Sequence, residues 1–328
     1  MKSPFTGKEM TVVKEWREMT YRKEQFNVLY HFYRCEGTEE QFENDHFATL
    51  NYNQVVNQYR VRHRIPFPEQ IKKIRQKYGL SAAKMSKIMG MGPNSWRNYE
   101  GDEVPSKVHA NLILMISDAE NFKEYIEKYS ELEGKEREKI LLRLKKLETD
   151  SCCCDDSLLR FESLPDITNG FKAFDKEKTK NVILFFAEHL KPFKTKLNKL
   201  LFYSDFAFFR QYAQSMTGLK YKAISYGPVP NNYDILFGLL AEQGIIDIDY
   251  SMTEYGEVER IILSANYRFD KSLFSAEELE ILHYISDKFK DTTASDIAEL
   301  SHKESAWQTN INGNKIISFH HAFSLETA

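Results

Sequence analysis

Asn94, Ser95, Arg97 and Asn98 fall within one five-residue stretch, directly after Gly90-Met-Gly92-Pro93. Asn can pair with adenine, and Arg with guanine, through two hydrogen bonds each, so this grouping suits the reading of base edges in a major groove. Such residues must be presented at the start of a short helix entered through a tight turn. The glycines permit positive φ and the proline suits a first helical position. Nearby Lys72, Lys73, Arg75 and Lys84 are expected on phosphates, which add affinity without sequence information. Between Arg60 and Ala110, eleven Lys/Arg stand against four acids, a local charge of +7 in a chain whose net charge is −3. A basic island of this kind points to a polyanionic partner. A solvated helical surface is the alternative reading.

A second grouping lies in the C-terminal half. Lys196, Tyr203, Asp205 and His302 are polar groups that read as converging near a pocket, with Leu197, Leu200, Leu201 and Phe208 forming a buried helical face. Asp205, Ser301 and His302 contain the residue types of an acyl-transfer triad, yet no nucleophile elbow or general-base constellation surrounds them. His302 reads better as a helix-end residue bonded to a neighbour. No P-loop or dinucleotide fingerprint is present, and His320-His321, near an expected frayed end, is too short a tract to hold metal. No enzymatic activity, metal or cofactor is therefore expected. Of the four cysteines, Cys35 stands alone and Cys152, Cys153 and Cys154 are contiguous. No disulfide framework follows, so a cytoplasmic location is expected. The triplet reads as an exposed linker, with metal binding or oxidation as alternatives.

The elements that must position these groups follow from length and periodicity. A chain of 328 residues, 42% hydrophobic and 28% charged, suggests two or three compact units rather than disorder. No apolar run approaches the roughly 20 residues of a membrane span, and Met1–Lys8 lacks the apolar stretch of a secretory signal. The fold class expected is mainly α. Residues 1–62 read as a small α+β module with β-like runs at Thr11–Val13 and Phe26–Tyr33, then a helix near 49–59. Residues 63–120 read as a helical helix-turn-helix domain, with helices near 68–78, 81–89, 93–100 and 105–118. Its core is expected from Ile71, Ile74, Leu80, Met85, Ile88, Trp96, Val108, Leu112 and Ile116. Residues 121–169 read as a charged helix and linker; the helix carries a narrow stripe of Ile140, Leu141, Leu144 and Leu147 that connects domains or pairs with its own copy. Residues 170–328 read as a mostly helical domain with a small β element. Helices are expected near 176–190, 195–216, 231–243, 275–290 and 293–302, and strands at Tyr221–Ser225, Ile245–Tyr250 and Glu259–Leu263. Ser275 through Glu278 forms a capping box, and Gly227-Pro-Val-Pro230 forces a turn after a strand.

Two resemblances add to this reading. The stretch from Phe67-Pro-Glu-Gln-Ile-Lys-Lys-Ile to Asn98-Tyr-Glu-Gly101 resembles the C-terminal domain of MqsA-type antitoxins, which are dimers that repress their own operon. Asn94 matches that family's base-reading Asn. Its Arg position falls on Asn98, with Arg97 adjacent, which implies a different operator. The family's N-terminal domain binds structural zinc through two CxxC pairs, whereas the corresponding positions here are Ser3-Pro-Phe-Thr6 and Cys35-Glu-Gly-Thr38. One thiolate of four does not make a structural site, so the module is expected to hold by packing of Phe26, Leu29, Phe32, Phe42 and Phe47.

Farther on, Lys196 to Arg210, Thr217-Gly218, Tyr226-Gly-Pro-Val-Pro230, Tyr233 and Ser301 to Trp307 together resemble the Panacea, or SocA-like, domain over roughly residues 175–310. That module binds and neutralises diverse small toxins. The resemblance implies an antitoxin that contacts a cognate toxin through Lys196, Tyr203, Asp205, Phe209, Tyr226, Pro228, Tyr233, His302 and Trp307. The likeness to MqsA-type antitoxins implies binding of double-stranded promoter DNA, as a homodimer, by the helix-turn-helix. An adaptor that delivers a toxin to a protease and a ligand-responsive repressor are the alternatives.

Overall fold

The computed structural model describes residues 2–4, 6–128, 132, 134–150, 160–253 and 256–328; the Cys152–Cys154 run lies outside them. At 51% helix and 16% strand, the fold is mainly α. The chain divides into two compact units that do not follow sequence order. One comprises residues 1–19, 27–54 and 157–328, the other residues 20–26 and 55–156.

The N-terminal sheet has the order β1 (Thr11–Tyr21), β2 (Glu24–Arg34), β3 (Gln41–Phe42). The β1–β2 turn places Arg22 and Lys23 at φ 47° and 68°, the doubly left-handed turn that matches strand twist and usually selects Asn-Gly. Helix α1 (Asp45–His63) follows. Asn51 accepts from His31 N and donates to His31 O, both at 2.9 Å, while Gln54 accepts from Leu29 N at 3.0 Å and donates to Leu29 O at 2.9 Å. Two side-chain amides one helical turn apart thus take the place of a neighbouring strand for alternate residues of β2.

In the second unit, α2 (Pro68–Lys77), α3 (Ala82–Ile88), α4 (Ser95–Tyr99), α5 (Lys107–Met115), α6 (Ala119–Lys128) and α7 (Gly134–Asp150) share one core. Ile71, Met85, Ile88, Trp96, Ile113, Phe122 and Ile126 are fully buried there. Ile140 and Leu144 of α7 join the same cluster, so the stripe expected of a connecting helix is spent on this core. Val108, expected inside, is 74% exposed: α5 starts at Lys107 and turns Ala110 and Ile113 inward instead. Arg60, counted in the basic island, is buried, donating to Pro66 O at 2.7 Å and Glu103 O at 3.3 Å.

The C-terminal part of the first unit contains α8 (Lys176–Leu190), α9 (Lys194–Tyr212), β4 (Tyr221–Ile224), β5 (Gly227–Pro230), α10 (Tyr233–Glu242), β6 (Ile246–Thr253), β7 (Gly256–Leu263), α11 (Ala276–Phe289), α12 (Ala294–Lys303) and α13 (Ser305–Gln308). The capping box forms as read, with Ser275 N on Glu278 Oε2 at 2.9 Å and Glu278 N on Ser275 Oγ at 3.2 Å. Helix α9 is buried without a break from Lys196 to Phe209.

Gly227–Pro230, expected as a turn, is a strand paired with β4 in the register Tyr221↔Pro230 and Ala223↔Pro228. Ala223 N points the other way, onto Lys315 O at 3.1 Å. Both prolines therefore occupy non-hydrogen-bonded pairs, where a missing N–H costs nothing. The expected frayed end is packed instead: Phe319 and Phe323 of a 3-10 turn (Phe319–Ser324) are buried.

The amide ladder from α1 yields a direct test. Asn51→Leu leaves the N–H and C=O of His31 unpaired in a buried setting, a cost of about 2 kcal/mol. Faster hydrogen exchange at the His31 amide and a lower unfolding midpoint are expected; an unchanged exchange rate would show the ladder to be dispensable.

Candidate functional site

In the second unit, the turn between α3 and α4 is built by hydrogen bonds as much as by glycine. Met91 N donates to Ser86 O at 2.9 Å and Trp96 N to Ser86 Oγ at 3.0 Å, tying the start of α4 to the body of α3. Trp96 Nε1 donates to Glu100 Oε1 at 2.8 Å, and Arg75 grips the same carboxylate through Nε and, at 2.8 Å, Nη2. That carboxylate, first through its hydrogen bond, raises the Arg75 guanidinium above its ordinary value. Arg75 also reaches Leu80 O at 2.9 Å.

Buried Trp96 and Tyr99 face inward, and Asn94, Arg97 and Asn98, spaced one helical turn apart, are exposed on the other side, with Ser95 half-buried between them. Among the described residues, the side chains of Asn94, Arg97 and Asn98 have no hydrogen-bond partner. The helix starts at Ser95, two residues later than expected, because Pro93 sits in the turn. Lys72 and Lys73 are exposed on α2. Arg75 is a correction: bound at both ends inside the unit, it positions α4 and is not free for a phosphate. Lys84 is paired with Glu136 on the surface, a contact of the exposed kind that exchanges easily.

In the first unit, the four positions aligned with zinc ligands do come together. Thr6 Oγ1 lies 3.4 Å from Cys35 Sγ, and the hydroxyls of Thr38, Thr6 and Ser3 pull the Cys35 thiol down to about 6. The donor set is one sulfur and three hydroxyls. No group of three or more His, Cys, Asp or Glu able to hold a metal occurs among the described residues.

The residues expected to meet a partner separate into two sets. Lys196 Nζ is spent on Thr292 O at 2.7 Å and Lys290 O at 3.3 Å. Tyr203 is buried against Glu304, whose carboxylate also accepts from Glu326 N and Thr327 N at 3.0 Å. Asp205 is fully buried and accepts from Met216 N at 2.8 Å, Thr217 N at 2.9 Å, Tyr221 OH at 2.7 Å and Thr217 Oγ1. Burial raises its carboxyl from the ordinary value, with those donors opposing. Phe209 packs on Phe319 and Phe323, and Pro228 is buried in β5. These five hold the unit together and cannot touch a partner's surface in this conformation, which corrects the sequence expectation.

Tyr226 is 71% exposed at the β4–β5 turn. Tyr233 is half-buried, as are His302 and Trp307, whose rings stack at 4.1 Å while Trp307 Nε1 donates to Ile224 O at 2.7 Å. A cleft of about 160 Å³ joins Tyr226 and Tyr233 to Lys194, Thr195, Asn198, Lys199, Ile224 and Val229. Sequence reading missed Asn198 and Lys199, both polar in a run otherwise taken as core. Among the described residues, Asn198 Oδ1 is buried without a hydrogen-bond partner. Lys199 Nζ donates to Pro228 O at 2.9 Å, and burial pulls it down to about 7. Gly227, at φ 97°, admits this lysine: a Cβ there would stand 2.7 Å from Lys199 Cε.

Residues 197–308 match the family described as Antitoxin SocA-like, Panacea domain. The match runs from Leu197 within α9 to the end of α13 and so contains Asp205, the His302–Trp307 stack and the cleft lining apart from Lys194 and Thr195. No curated protein and no solved structure matches the chain. No described helix is long and apolar enough to cross a membrane.

Two substitutions separate support from contact. Asp205→Ala strands the Met216, Thr217 and Tyr221 donors in a dry interior and should cost about 3 kcal/mol or more in a denaturant melt; a near-neutral effect would return Asp205 to the list of contact residues. Burial holds the Lys199 amine at about 7 in the folded chain, well below its ordinary value. The unfolded state therefore binds the extra proton between about pH 7 and 10, and stability rises with pH across that window. Lys199→Met should raise the melting temperature at pH 6 and lose that advantage by pH 10. An equal shift at both pH values would contradict a buried, uncharged amine.

Proposed function

We propose that this chain is an antitoxin that neutralises a cognate toxin by direct contact through residues 170–328 and binds the promoter of its own operon, as a homodimer, through α3 and α4. The observation that carries the reading is the match of residues 197–308 to a SocA-like antitoxin domain. Tyr226, Tyr233, His302 and Trp307, partly or largely open to solvent, are the contact residues of this reading. Tyr226 and Tyr233 line the cleft, and tyrosine and tryptophan are frequent anchors of a protein interface.

The DNA half of the reading is supported by the surface of α4. Asn94, Arg97 and Asn98 are exposed and, among the described residues, unpartnered at the cap and outer face of a helix whose other face is locked into the core, and Lys72 and Lys73 add positive charge on α2. Ser95 and Lys84 complete the set, the first beside the base-reading groups and the second on the phosphate side once it leaves Glu136.

The test uses the full chain and the product of the gene beside its own. Expressed alone, that product should arrest growth, and co-expression should restore it with a stable complex. Asn94→Ala with Arg97→Ala should weaken specific operator binding by tenfold or more, at about 1–3 kcal/mol per base contact, and leave rescue unchanged. Lys72→Ala with Lys73→Ala should lower affinity for all sequences and reduce the salt slope by about 2. A neighbour that is harmless, or toxic but not rescued, would defeat the antitoxin reading. Operator affinity indifferent to Asn94 and Arg97 would defeat the DNA reading alone.

A further inference from the structure

Strands β6 and β7 form a ribbon paired over eight residues, from Ile246↔Leu263 to Thr253↔Gly256. Two bonds at its margins fix which backbone groups point outward. Ile261 N donates to Pro192 O at 3.0 Å, and Ser264 N donates to Ile245 O at 3.4 Å. Ile261 therefore turns its N–H away from β6, and Ile248↔Ile261 is a non-hydrogen-bonded pair. By alternation the same holds for Tyr250↔Glu259 and Met252↔Glu257. The N–H and C=O groups of Ile248, Tyr250 and Met252 all point out along the far edge of β6. On the β7 side, the edge is closed by Pro192 and by the bridge between Phe193 and Arg260. On the β6 side, these three residues have no hydrogen-bond partner among the described residues.

The side chains along this open edge are sorted by the strand's period of two. Tyr250 and Met252, 60% and 78% exposed, extend an apolar face that begins in the core at Ile246. Asp247 and Asp249 are exposed on the opposite face and have no ion-pair partner among the described residues. Arg260, across from Asp249, is drawn over the Phe193 ring at 4.4 Å.

An unpaired edge is a template for another strand. We propose that the edge of β6 receives a β-strand of the cognate toxin in which apolar residues alternate with Lys or Arg. The apolar residues lie beside Tyr250 and Met252, and the basic ones beside Asp247 and Asp249. Charge argues against a second copy of this chain as occupant: β6 laid antiparallel on β6 with the same groups outward brings the aspartates of both copies onto one face, where like charges oppose pairing. The proposal rests on the antitoxin reading above and adds a backbone contact to the side-chain contacts named there.

The experiment compares Tyr250→Pro, Tyr250→Ala and the double variant Asp247→Lys with Asp249→Lys in the full chain, with the neighbouring gene's product as probe. Proline removes the outward N–H yet is tolerated on an edge strand; alanine removes only the side chain. The alanine variant should bind the probe a few-fold more weakly, and the proline variant at least tenfold more weakly still. The charge reversal, at two exposed positions that leave the ribbon intact, should also cost at least tenfold, with circular dichroism and operator binding unchanged. Proline and alanine variants of equal affinity, or a charge reversal without effect, would overturn the strand contact while leaving the antitoxin reading in place. A wild-type chain that does not bind the probe would overturn both. Loss of a dimer in Tyr250→Pro with probe affinity intact would make a second copy the occupant and refute the proposal.

Discussion

A helix enclosed on all sides gives its polar residues no water, so each must be satisfied by the protein or remain a cost of one or more kcal/mol. Helix α9 is enclosed in this way and still carries Lys196, Asn198, Lys199, Tyr203, Ser204 and Asp205. The arrangement of the first unit follows from where their partners come from. Lys196 draws in the segment after α11, Lys199 the backbone of β5, and Tyr203 the Glu304 carboxylate that also holds the C-terminal tail. Asp205 gathers the loop at Met216–Thr217 and the first residue of β4. Each bond fixes a different peripheral segment against one helix. The apolar contacts supply most of the stability but would tolerate several arrangements of those segments; the polar bonds tolerate one.

The second unit applies the same rule to a smaller element. A five-residue helix has too few internal bonds to stand alone, so α4 is held by Trp96 in the core and by the chain from Arg75 through Glu100 to Trp96 Nε1. Because the inward face is over-determined, the outward face is free of structural duty. Asn94, Arg97 and Asn98 can all be polar, exposed and unbonded without weakening the fold. Substitutions at those positions are therefore expected to leave folding unchanged, unlike any change at Arg75 or Glu100.

Much of the architecture could be read from residue pattern, because the long amphipathic helices and their caps are local. Helix α8, the Ser275–Glu278 box and the strand pair at 246–263 depend on neighbours a few residues away. What escaped was set by contacts distant in sequence. The Arg22-Lys23 turn lacks the glycine that usually announces such a hairpin. Gly227-Pro-Val-Pro230 carries two prolines, which argue against a strand unless the direction of Ala223 N is known. Asp205 and Tyr203 were misassigned for a related reason. A charged residue inside an apolar run signals either an active surface or a buried network, and only burial distinguishes them. Arg75 shows the converse: in a basic stretch it looks like one more phosphate contact, and the glutamate that claims it is 25 residues away. Asn198 and Lys199 carried no signal beyond their presence in a helix that otherwise looked like core.

The sites proposed here for partners share one physical character. Among the described residues, hydrogen-bonding capacity is incomplete at the outer face of α4, at Asn198 Oδ1 beside the cleft, and along the edge of β6, while Asp205 and Glu100 are bonded on every side the fold offers. A group already satisfied internally gains little from a ligand, since a new bond must replace an old one. An unsatisfied group gains the whole bond, less the cost of ordering the partner. The uneven distribution of unmet donors and acceptors therefore separates residues that shape this protein from residues that can be read by others. Exposed apolar side chains alone do not make that separation, because much of any protein surface is apolar. At Tyr250 and Met252 both the backbone N–H and the C=O are unpaired among the described residues, so burial of the side chain and completion of the ladder would be gained by the same partner in a single step.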